Sequence, residues 1–210
     1  MNNDLKNQIE AKIDELYHLA NDNKALILTE VDLQCQLYMK LSEINLLNDI
    51  SETNDGFTTN KIHTEISWYS DNNRDRLSIR PDITLLKPEN LRITTRFNGT
   101  PLPSKGLESI DGGIIFELKY DRNLQTISEK TFAGIVKDIQ SYETIYNRFQ
   151  MNGIGHLIYG YFVLFIKSTP SEVNMQKINR IHHEFEIRNL NENNCKFIYH
   201  FIDVNINVAL

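Results

Sequence analysis

The sequence predicts a mixed α/β fold, with parallel and antiparallel strand pairs in one central sheet and helices on both of its faces. Three observations carry this reading. Apolar residues near the N-terminus recur every three or four positions, the period of a helix; from Ile62 the period drops to two, the period of a strand. Beyond Gly113 the pattern alternates strand, helix, strand, helix, strand. Three antiparallel-looking strands followed by two helical crossovers give the element order ααβββαβαβ and a mixed sheet.

The first helix is expected over residues 3–20, where Leu5, Ile9, Ile13, Leu16 and Leu19 form one stripe. A second starts at Thr29, with Asp32 placed to complete a capping box, and runs to about Leu47. Strands follow at Ile62–Trp68 and Leu77–Leu86, separated by a polar turn. Residues 87–113 hold three of the five prolines and four of the nine glycines, so they read as an irregular excursion with a short hairpin arm at Asn90–Phe97. Then come a strand at Gly113–Tyr120, a helix from Ser128 to about Phe149, a buried strand at Leu157–Ile166, a helix from Pro170 to about Asn189 and a strand at Lys196–Val204.

Composition limits the function classes. With 40% apolar and 24% charged residues in 210, the chain is expected to fold as one domain, 1–210, with its core at about 25–205. No basic-then-apolar leader opens it and its longest apolar run is too short for a membrane helix, so a cytoplasmic protein with no membrane partner is expected. Two cysteines, Cys35 and Cys195, rule out a disulfide framework or thiolate zinc site and are expected to be buried free thiols. A net charge of −6 argues against nucleic-acid binding through an overall positive field but leaves room for a local basic groove. Phosphate-loop, nucleophile-elbow and dinucleotide motifs are absent, and His182 and His183 are adjacent on a helix and cannot face each other.

Several charged residues sit where strands disfavour them. Asp82 lies inside the apolar run IRPDITLL, and Glu117 and Lys119 lie inside GGIIFELKY. Residues two apart in a strand share a face, so Glu117 and Lys119 project together, and Asp82 joins them if the two strands are neighbours. Glu30 heads the row Glu30, Leu33, Leu37, Leu41, Ile44 on the inward side of the second helix, where an unpaired carboxylate is costly. Such a cluster suits a hard divalent cation.

Pro81-Asp82 followed by Glu117-Leu118-Lys119, with the strand and helix order above, resembles the PD-(D/E)XK nuclease superfamily. The spacing of 35 residues between Asp82 and Glu117 is longer than usual there, and the 87–113 excursion accounts for it. The resemblance implies a restriction-endonuclease-like three-layer α/β/α core and a Mg²⁺-dependent endonuclease of restriction or defence type, with Mn²⁺ able to substitute. DNA is the expected substrate. It further implies that Asp82, Glu117, the Leu118 carbonyl and Glu30 hold the metal while Lys119 orients the attacking water. Arg92, Arg96, Lys105 and Lys137 are the candidate nucleic-acid contacts, with Gln140, Glu65 and Arg80 as further polar neighbours of the site. Sequence recognition would come from the excursion, a second protomer or a partner protein. The competing expectation is a catalytically inactive nuclease-fold subunit that binds or assembles.

Overall fold

The first two helices form where the apolar stripes place them. Helix α1 spans Asn3–Asp22 and buries Ile9, Ile13, Leu16 and Ala20. Helix α2 spans Glu30–Ser42, opened by a full capping box between Thr29 and Asp32, and buries Leu33, Leu37 and Leu41. It stops earlier than the apolar row suggested, and a one-turn helix α3 (Asn45–Asn48) follows. The computed structural model describes residues 3–69, 77–92, 96–97, 100–101, 108–109, 112–153 and 158–203.

The two strands expected from Ile62 and Leu77 are each broken in the middle. The first gives β1 (Ile62–Thr64) and β2 (Trp68–Tyr69); the second gives β3 (Leu77–Ile79) and β4 (Ile83–Leu85). Glu65 breaks the first, its φ of +50° turning the backbone out of the extended region. Pro81, which has no N–H to give a ladder, sits in the second gap. As a result Ile79 does not share a face with Ile83 and Leu85, as one continuous strand would require: it packs in the opposite core.

After the breaks, β1 and β4 stay in the main sheet while β2 and β3 pair with each other as a separate arm. Strand β5 (Ile114–Asp121) leads into α4 (Glu129–Met151), β6 (Tyr159–Ile166), α5 (Glu172–Glu186) and β7 (Cys195–Phe201). The sheet order is β7-β6-β5-β4-β1, with β5, β6 and β7 parallel and β4 and β1 antiparallel. All eight residues of β6 are buried, as a central parallel strand covered on both sides requires.

The two cores lie on opposite faces of this sheet. One joins α1 and α2 to Phe116, Leu118, Tyr161 and Val163; the other joins α4 and α5 to Ile115, Phe162, Leu164 and Ile166. The architecture is therefore a mixed five-stranded α/β sheet between two helical layers. Cys195 is buried, but Cys35 is exposed, because it lies off the Leu33–Leu37–Leu41 stripe. Within the 87–113 excursion, Leu91–Arg92 pairs with Glu108–Ser109, and Arg96–Phe97 with Thr100–Pro101. Among the described residues no helix is long and apolar enough to cross a membrane.

Candidate functional site

The break at Pro81-Asp82 determines the site. Strand β4 pairs with β5 only over Ile114–Phe116, so beyond that level, among the described residues, the main sheet has no strand beside β5 on this flank. Asp82 stands at the point of parting. Its N–H donates to the Phe116 carbonyl at 3.1 Å, and its own carbonyl accepts from the Glu65 amide at 3.2 Å and the Gln34 side chain at 2.6 Å. With its backbone held on three sides, its carboxylate accepts a hydrogen bond from the Leu118 amide at 2.6 Å. That oxygen takes the place of the ladder acceptor that β4 no longer supplies.

Strand alternation turns Glu117 and Lys119 toward α4, with Phe116 and Leu118 on the α1–α2 side. The Lys119 ammonium lies 2.9 Å from the Asp138 carboxylate of α4 and 3.3 Å from Glu30 at the start of α2, and donates to the Leu118 carbonyl at 2.9 Å. The Asp138 contact is an ion pair off the angle of a hydrogen bond. Gly134, one turn before Asp138, makes room for the lysine stem: a Cβ there would sit 3.3 Å from Lys119 Cε. Glu117 is 8% exposed, and among the described residues its carboxylate makes neither a hydrogen bond nor an ion pair. A cavity of about 10 Å³, room for roughly one water, lies between Glu117, Lys119, Ile135, Asp138, the β6 side chains and Phe197 of β7.

Electrostatics follow from this crowding. Burial, only partly offset by the Leu118 amide and Lys119, pushes the Asp82 carboxyl up to about 6. Burial and the neighbouring Asp138 and Asp82 raise Glu117 well above the usual carboxylate range, and burial raises Asp138 as well. Burial alone would lower Lys119, but Asp138 first, then Glu30 and Asp82, outweigh it and hold the ammonium above its ordinary value. Among the described residues, Asp138 and Glu30 contact the Lys119 ammonium while Asp82 and Glu117 act on it at longer range, and this excess of carboxylates favours an added cation.

Asp82, Glu117, Lys119 and Glu30 are therefore gathered at one end of β5, while the remaining candidates are dispersed. Lys137 and Gln140 are exposed on α4. Glu65 and Arg80 are exposed and pair with each other at 3.9 Å, so Arg80 does not neutralise Asp82. Arg92 donates to the Asn54 side chain at 3.1 Å, Arg96 belongs to a two-residue strand, and Lys105 lies outside the described residues. The residue of α4 that does face the site is Asp138, which sequence reasoning missed. Its signal was present: it lies three residues after Ile135 and four before Tyr142, on the inward stripe, where a carboxylate is out of place.

Among the described residues, no three His, Cys, Asp or Glu side chains converge as a metal-binding group. The donor set is instead two carboxylates, Asp82 and Glu117, with the Leu118 carbonyl directly after Glu117 in sequence. That composition suits Mg²⁺, which takes one or two carboxylates and keeps much of its water. The Glu117 carboxylate, unpaired among the described residues, is the feature such an ion would satisfy. Compared with protein-family models, with curated proteins and with solved structures, the chain matches none.

Proposed function

We propose that the chain is a Mg²⁺-dependent nuclease of the PD-(D/E)XK type, with a restriction-endonuclease-like fold and DNA as its substrate. The observation that carries this reading is the Glu117 carboxylate of a buried residue, without a partner among the described residues, beside Asp82 and Lys119 where the main sheet parts. Asp82, Glu117 and the Leu118 carbonyl would hold the ion, with Glu30 reaching it directly or through water, and Mn²⁺ would substitute. When bound, the ion supplies charge stabilisation at the phosphate and lowers the pKa of a water.

The protein's own groups do the rest. Lys119 orients the attacking water and offsets charge as the phosphodiester is displaced in line. Glu30 and Asp138 hold its ammonium from two sides, fixing where that charge stands. Raised proton affinity at Glu117 and Asp82 keeps the ligand-free cluster partly neutral, so a cation binding there displaces protons.

A second reading, a nuclease-fold binding or assembly subunit, is favoured by one feature: Lys119 already has two ion-pair partners. Incubation of the purified chain with plasmid, single-stranded DNA and RNA in Mg²⁺, Mn²⁺ or EDTA, beside Asp82→Asn and Lys119→Met, separates the two. The nuclease reading expects metal-dependent cleavage in the wild type alone. Equal behaviour of all three proteins would leave the binding subunit as the better account.

A further inference from the structure

The two edges of the main sheet differ. At one edge, β1 is only three residues long and is followed by the Glu65 turn, so little of it is open to pairing. At the other, β7 runs for seven residues, and among the described residues nothing pairs with its outer side.

The hydrogen-bond phase identifies the free groups. Gly160 N–H donates to the Asn194 carbonyl at 3.0 Å and Ile202 N–H to the Ile166 carbonyl at 2.8 Å, so the even-numbered residues of β7 turn their backbone toward β6. The N–H and C=O of Phe197, Tyr199 and Phe201 therefore point out of the sheet. Among the described residues, the devices that usually blunt an edge are missing. No proline interrupts β7. Lys196 is drawn onto Glu10 of α1 at 2.6 Å, and His200 stacks on Tyr17 with its Nε2 3.4 Å from Asp14. What remains is a half-buried aromatic row, Phe197, Tyr199 and Phe201, whose rings touch in sequence and which His182 of α5 flanks.

We propose that this edge pairs with the same edge of a second copy, antiparallel about a two-fold axis through Tyr199. The occupant follows from the register. With Tyr199 on the axis, Tyr199 meets Tyr199 and Phe197 meets Phe201, and each of these is a residue whose N–H and C=O face outward, so the free groups exchange hydrogen bonds in pairs. Side-chain chemistry matches on both faces. The aromatic row meets its own reverse on the α5 side, and Ile198 meets His200 on the α1 side, without like charges opposed. An unrelated strand has no such reason to match this row. The proposal stands independently of the nuclease reading.

The test uses the full chain. Sedimentation equilibrium of the wild type should give twice 24.5 kDa at micromolar concentration, with dissociation on dilution. Tyr199→Pro removes an outward donor while leaving every bond to β6, and Tyr199→Lys places like charges on the axis. Both should weaken the dimer at least roughly tenfold, with circular dichroism unchanged. Because a proline variant can fail to fold, amide exchange of the unaltered protein supplies a second readout. The amides of Phe197, Tyr199 and Phe201 should gain protection as concentration rises, while those of Ile198 and His200 stay protected throughout. A monomer at all concentrations, a dimer unaffected by Tyr199→Lys, or outward amides that exchange fast within a dimer would each overturn the proposal.

Discussion

Glu117 is buried and Asp82 half-buried, both with raised proton affinity, yet they differ in what holds them. Asp82 accepts the Leu118 amide, whereas Glu117 has no donor among the described residues. Glu117→Gln should therefore stabilise the metal-free protein, by about 1 kcal/mol or more, since it removes the cost of a buried charge without orphaning a partner. Thermal unfolding in EDTA measures this, and a lower melting temperature would show that the carboxylate carries a structural bond. For Asp82 the folded carboxyl is raised from 3.8 to about 6, so the fold favours its protonated form. Its contribution is fully present below about pH 3.8 and is lost as pH rises through about 6, at most about 3 kcal/mol in all. Asp82→Asn should flatten the stability-versus-pH curve of the metal-free protein over that window. An unchanged slope would mean that other groups control it.

Helix α4 and strand β5 act as a clamp around the lysine stem, and Gly134 is its narrow point. Gly134→Ala adds helix propensity worth up to about 1 kcal/mol, but its Cβ would crowd a lysine whose ammonium is fixed by Asp138 and Glu30. The expected result is a fold as stable or more so and, under the proposed nuclease function, cleavage reduced several-fold; kinetics beside a denaturant titration would reveal the split. Gly113 before β5 is different in kind. A Cβ there would meet the Leu85 carbonyl oxygen at 2.6 Å, which is backbone and cannot turn aside. Gly113→Ala should destabilise by about 2 kcal/mol or more, read in the same titration. The helices and parallel strands were legible because each carries its period for several turns or residues. The strand breaks were not, because apolar alternation continues through both and only backbone conformation at Glu65 and Pro81 interrupts it. Asp138, by contrast, is legible from its place on the inward stripe between Ile135 and Tyr142, which Lys137 and Gln140 only flank.

Across the whole molecule, the candidate site draws on α2, α4, β5 and the break between β3 and β4, elements far apart in sequence. A cation bound there ties them together only in the folded state. Mg²⁺ at a hundredfold over its dissociation constant should add about 2.7 kcal/mol. For a chain of this size that is roughly 5–10 °C in melting temperature, reversed by EDTA and absent in Glu117→Gln. A melting temperature indifferent to Mg²⁺ would remove the metal from the proposed function and favour the binding subunit. The dimer edge lies on β7, where Phe197 lines the cavity at the cluster but Tyr199 does not, so Tyr199→Lys should leave the Mg²⁺ shift in place.

The bond from the Leu118 amide to the Asp82 carboxylate makes one backbone proton a reporter on the cluster. Its nuclear magnetic resonance frequency depends on the charge of the oxygen it donates to, so it should move upfield as Asp82 takes up a proton, with a midpoint near pH 6. A cation that draws charge from the same carboxylate should move it in the same direction at neutral pH. A single amide resonance would thus follow ionisation and occupancy of the site without any substrate present.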